Sequence, residues 1–105
     1  MTNDPIDWAR VAELLNDIGE EDFAEVAGLF LEEIADAAEV LDPTAPPLAE
    51  RLHGLKGSAL NLGFAKLAGL AAQGEAAPET ADIPAIRAAC AAAKTALLAR
   101  HPDIC

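Results

Sequence analysis

Apolar residues recur in this chain at intervals of three and four, with no stretch of strict alternation long enough for a strand. Such spacing lines one face of a helix. Residue usage points the same way. Alanine is abundant, while the β-branched residues Val, Ile and Thr are few. Aromatic residues make up only 4% and Tyr is absent. The core must then be built mainly from Leu, Ala, Ile and Val. At 105 residues the chain is expected to form one domain, residues 1–105, with one modest core.

Glycine and proline cut the periodic pattern into helices. The first is predicted from about Ile6 to Asp17, on Ile6, Ala9, Val11, Leu14, Leu15 and Ile18, and Gly19 ends it. The second is predicted from Glu21 to Leu41, with a stripe of Phe23, Val26, Phe30, Ile34, Ala37 and Leu41. Asp42-Pro43-Thr44-Ala45-Pro46-Pro47 breaks the pattern, because each Pro restricts itself and the residue before it. Pro47 suits the first turn of a third helix, Pro47 to Leu62, which Gly63 would cap. A fourth is predicted from Ala65 to Glu75. Ala76 to Pro84 reads as a loop, and a fifth helix runs from Ala85 until His101-Pro102 stops it. The predicted fold class is all-α: an antiparallel up-down four-helix bundle with a short extra N-terminal helix.

Charge narrows the function. Eighteen acidic residues face seven basic ones, for a net charge of −11. Non-specific nucleic-acid binding needs Lys and Arg to displace counterions, so it is disfavoured. Docking to anionic lipid is disfavoured likewise. No uncharged run approaches a membrane span, and the opening Met-Thr-Asn-Asp-Pro-Ile-Asp lacks the features of a secretory signal. A free-standing, monomeric, cytoplasmic domain is the expectation.

Most catalytic templates are missing. Neither G-x-x-x-x-G-K-[ST] nor G-x-G-x-x-G occurs, so no nucleotide site is indicated. His53, His101, Cys90 and the carboxylates show no metal-ligand spacing, and no metal site is expected. Glu32, Glu33 and Asp36 read as a solvated acidic face. Cys90, among alanines, reads as a small buried side chain, and Cys105 as an exposed tail residue. Trp8 reads as a core or lid residue.

One segment stands apart: Leu52-His53-Gly54-Leu55-Lys56-Gly57-Ser58-Ala59-Leu60-Asn61-Leu62-Gly63. On a helix, Leu48, Leu52, Leu55, Ala59 and Leu62 fall in one sector of about 80°. His53 lies about 140° from its centre, on the solvent side. Lys56 and Gly57 lie beside it, and Leu60 continues the strip. Gly54 and Gly57 each cost about 1 kcal/mol relative to Ala inside a helix. Gly57 clears the surface one turn from His53, and Lys56 puts a positive charge at its edge. An exposed imidazole, a cation and open space suit an anion about the size of phosphate.

The segment resembles the signature of histidine-containing phosphotransfer (Hpt) domains of two-component phosphorelays. That pattern is roughly H-x-L-K-G-[SA]-[SA]-x-x-[LIV]-G, and His53 to Gly63 match every specified position. Phe23 to Leu41 resembles the family's preceding helix, and Leu67, Leu70, Ala71 and Glu75 its following one. Gly74 departs from the Leu usual there. The resemblance implies a four-helix bundle with its His exposed midway along one helix. It implies that His53 accepts a phosphoryl group from a receiver-domain phospho-aspartate and relays it to another response regulator. The chain would then be a phosphorelay intermediate with no ATP-dependent kinase activity of its own. Its partners would be receiver domains and a hybrid sensor histidine kinase. It would need no cofactor of its own, the receiver supplying Mg²⁺.

Roles follow for single residues. Lys56 would neutralise the phosphoryl oxygens and Gly57 would admit the receiver's loops. Ser58 could orient groups locally. Glu75 matches a position whose polar residue lies near the imidazole, and would accept a bond from the non-reacting ring nitrogen. Gly54, Leu60, Asn61 and Phe64 are the candidates for partner binding.

Two other classes compete. A helical adaptor would bind a regulator without transferring phosphate, but intact His53, Lys56 and Gly57 speak against a degenerate site. An acyl carrier is also small, acidic and helical. Its prosthetic serine normally follows Asp at a helix start, whereas Ser58 follows Gly inside a predicted helix.

Overall fold

The computed structural model describes residues 5–42 and 47–104. Its helices are α1 (Trp8–Ile18), α2 (Glu20–Glu39), α3 (Leu48–Leu62), α4 (Ala65–Ala76) and α5 (Ile83–Arg100), with a 3-10 turn at Pro78–Thr80. No strand occurs among the described residues. Helices α2 to α5 form the bundle, each packed on the next, and α5 closes it against α2. Helix α1 lies across α2 and α3. This is the all-α architecture that the periodicity predicted. The predicted break at Pro43 to Pro46 and the Cys105 tail lie outside the described residues.

The helix starts differ from expectation where a side chain caps the backbone. Helix α1 begins at Trp8 because the Asp7 carboxylate accepts from Ala9 N at 3.1 Å and Arg10 N at 3.3 Å. Ile6 before that cap and Val11 within the helix, the positions of a hydrophobic staple, are both buried. Helix α5 begins at Ile83 rather than Ala85. Asp82 accepts from Ala85 N at 3.1 Å, so Pro84 stands in the first turn, where its missing N–H costs no helix bond.

On α3 the buried residues are Leu48, Leu52, Leu55, Ala59 and Leu62, the predicted stripe. Each fully buried Leu stabilises by about 1.5–3 kcal/mol, so the rotation of α3 about its own axis is strongly fixed. The stripe on α2 is rotated from expectation. Phe23, Ala27, Leu31, Ile34 and Ala38 are buried, while Val26, Phe30 and Ala37 are only half-buried. Side-chain contacts tie the helix ends. Arg87 on α5 donates to the carbonyls of Ala38, Glu39 and Leu41, satisfying the orphan end of α2. The Arg100 guanidinium lies 4.5 Å from the ring centre of half-buried Trp8. His101 packs on Phe23 at 5.0 Å, and Ile104 is buried beyond it.

Candidate functional site

The burial of the α3 stripe forces the opposite face of that helix into solvent. His53 sits there, its side chain 68% exposed. Its Nδ1 lies 2.6 Å from Glu75 Oε1 on α4. The other oxygen of the same carboxylate, Oε2, accepts from Lys56 Nζ at 3.0 Å. Glu75 thus bridges two side chains of α3. Helix α4 comes close to α3 here because residue 74 is Gly. A Cβ at that position would stand 2.8 Å from Leu52 Cδ1 and 3.1 Å from Ala81 Cβ.

The electrostatics follow from the bridge. The hydrogen bond from Lys56, and after it the one from His53, hold the Glu75 carboxyl below its ordinary pKa. Glu75 is therefore ionised at neutral pH, and an ionised carboxylate can only accept hydrogen bonds. Nδ1 must then carry the proton. In the neutral ring this leaves the lone pair on Nε2, which has no hydrogen-bond partner among the described residues. Nε2 is therefore the ring nitrogen left open to an incoming group.

The glycines leave the approach clear. A Cβ at Gly57 or at Gly54 would meet nothing within 4 Å. Leu60 is 54% exposed on the same strip and Asn61 is also exposed. The Asn61 carbonyl accepts from Arg10 Nε at 3.2 Å, so α1 braces that end of the strip.

Two expected site residues lie elsewhere. Phe64 is fully buried and packs the core, so it is no docking residue. The cause is the turn ending α3. Phe64 N donates to Ala59 O at 2.8 Å and Gly63 N to Leu60 O at 3.2 Å, a Schellman motif that turns the residue after the glycine inward. Gly63 as a cap followed by an aromatic residue was the available signal. Ser58 does not join the imidazole. Its hydroxyl donates to Glu33 Oε1 on α2 at 3.2 Å. Cys90 is half-exposed rather than buried, between α2 and α5, and partial burial raises its thiol pKa.

Sequence reasoning passed over Val40. It is 54% exposed and lines, with Ala37, Arg51, Gly54 and Leu55, a hollow of about 240 Å³ between α2 and α3. It stands beside Leu41, which the stripe pattern correctly assigned to the core.

Among the described residues no three His, Cys, Asp or Glu side chains gather in a way that could hold a metal ion. None of the described helices is long and apolar enough to cross a membrane.

A model of the Hpt domain matches residues 21–101, well over half of the chain. The chain belongs to the Hpt domain family. Membership implies histidine phosphotransfer in two-component phosphorelays, with receiver domains and kinases as the class of partner. The matched span runs from the first turn of α2 past the end of α5 and leaves out α1. No curated protein and no solved structure matches this Hpt chain.

Proposed function

We propose that His53 is the phosphoryl carrier of this Hpt domain. It accepts the group from the aspartyl phosphate of one receiver domain and passes it to the aspartate of another. The observation that carries the reading is the pairing of Nδ1 with Glu75 at 2.6 Å on a ring otherwise open to solvent. Nε2 attacks phosphorus, and the P–Nε2 bond forms as the P–O bond to the receiver aspartate breaks. The bonding pair leaves with the aspartate carboxylate, while the ring keeps its Nδ1 proton beside Glu75. Onward transfer reverses these changes on a second receiver. Positioning and charge compensation are most of what such a transfer requires. In this reading any Mg²⁺ belongs to the acidic pocket of the receiver.

The open strip of His53, Gly54, Gly57, Leu60 and Asn61 is the docking face in this reading, with Val40 beside it. A relay must release its partner after each transfer, so a small contact suits it.

The test is transfer from a phosphorylated receiver domain to the wild type and to His53→Gln. Acid-labile, alkali-stable label on the wild type and none on the variant is the expected result. A receiver that binds both proteins equally and transfers to neither would replace this reading with the adaptor.

A further inference from the structure

We propose that the outward face of α2 around Leu29 is a second docking surface, which takes a basic protein segment carrying an apolar anchor. This goes beyond the carrier reading of His53 and does not depend on it. Three large apolar residues are exposed among the described residues: Leu29, Val40 and Leu60. Val40 and Leu60 border the face of His53. Leu29, 60% exposed, lies about three turns of α2 away from Val40. A single exposed Leu is ordinary on a protein surface. This one borders a hollow of about 340 Å³, walled by Ala24, Glu25, Gly28, Glu32 and Asp103. None of these residues belongs to the strip of His53 or to the hollow beside Val40. Gly28 contributes only main chain to that wall, although Gly is a poor residue for a helix interior.

The charges around the hollow say what can enter it. Helix α2 holds eight acidic residues and no Lys or Arg. Glu20, Glu21 and Asp22 stand in its first turn, where the helix dipole favours them. Glu25 and Glu32 have no such support. They stand one turn before and one turn after Leu29, so they flank it on the helix surface. Both are exposed, and neither makes an ion pair or side-chain hydrogen bond among the described residues. A cation brought to them forms its ion pairs without breaking any. A second copy of the chain would set the same acids against each other, and anionic lipid or nucleic acid would be repelled likewise. The occupant that fits is a segment whose apolar side chain enters the hollow beside Leu29 while Lys or Arg on either side meet Glu25 and Glu32. Docked there, it leaves the strip of His53 uncovered. The domain can then hold one protein on α2 while a receiver visits α3. Where those two are linked, the tether raises the local concentration of the visitor.

The probe is a synthetic helical peptide with leucines on one face and lysines on either side of them. The full ¹⁵N-labelled chain is titrated with it at about 0.1 M salt. Backbone amide shifts are expected to move over Ala24 to Glu32 and to stay in place over His53 to Asn61. Leu29→Gln should weaken binding about tenfold, and so should Glu25→Gln combined with Glu32→Gln. Removing two exposed acids elsewhere, Asp17→Asn with Glu79→Gln, should weaken it by less than about twofold. Equal losses in the two charge variants would make the attraction a property of net charge and overturn the proposal. So would wild-type binding by Leu29→Gln, or shifts centred on His53. Self-association of the free chain that Leu29→Gln abolishes, seen by sedimentation, would give the face to a second copy instead. Transfer from a phosphorylated receiver should proceed at the same rate with the peptide bound, and a block would show that the peptide covers His53. If no receiver phosphorylates the chain even without peptide, the carrier reading fails, and the titrations still decide whether α2 docks a basic segment. Thermal unfolding of each variant shows whether the bundle is intact.

Discussion

Gly57 and Gly63 lie six residues apart in one segment and serve opposite ends. At Gly63 the backbone is left-handed, with φ +80°, and a Cβ would stand 2.8 Å from the Asp7 carbonyl. That carbonyl belongs to the residue whose N–H bonds Gly63 O at 2.6 Å, where the start of α1 docks on the end of α3. At Gly57 the backbone is helical and a Cβ would meet nothing. One glycine is required by the fold. The other works against helix propensity and makes no close contact inside the chain, and in the proposed function it serves whatever approaches His53.

The comparison can be broken at several points. Gly63→Ala should have the largest effect, about 2–3 kcal/mol of lost stability from the left-handed backbone and the overlap with Asp7. Denaturant unfolding measures it, and an undiminished midpoint would remove the structural half of the contrast. Gly57→Ala should move two quantities in opposite directions. Stability should rise by about 0.5–1 kcal/mol as helix propensity improves. Transfer from a receiver should slow about tenfold as the methyl meets the partner. A stabilised variant with wild-type transfer would leave Gly57 without the role argued for it. Leu60→Ala should leave the melting temperature within error and weaken receiver binding about fivefold, read by titration.

The smallest effect concerns acid. The pKa of Glu75 is lowered in the folded state, so its ionised form contributes stability above the ordinary carboxylate range. That contribution disappears as pH falls through the lowered value. The groups are exposed enough for the effect to be slight. Melting curves from about pH 6 to pH 3 should therefore fall a little more steeply for the wild type than for Glu75→Gln. A steep difference would make the open face a structural element and sharpen the contrast in the other direction.

Much of this was legible in the sequence, and the failures have physical causes. The α3 stripe could be read because leucines fall on one arc and glycine, lysine and histidine on the other. The α2 stripe could not be phased as well. Val26, Phe30 and Ala37 precede the buried Ala27, Leu31 and Ala38 by one residue each, and the large Phe30 draws the reading to the wrong arc. Pro84 reads as a breaker unless Asp82 is seen as a cap. His53, Gly57 and Leu60 need only the geometry of their own helix. The bridge from Lys56 to Glu75 spans two helices, and only the tertiary packing beside Gly74 brings its ends together.

The contact between Trp8 and Arg100 has a practical consequence. The chain has one Trp and no Tyr. Its intrinsic fluorescence therefore comes from a single indole where α1 meets the end of α5, quenched or shifted according to whether Arg100 covers it. That signal follows the closing of the bundle end. Events at His53 on the α3–α4 face should leave it unchanged, so a receiver that changes the emission on docking would reveal a mechanical link between the two ends of the molecule.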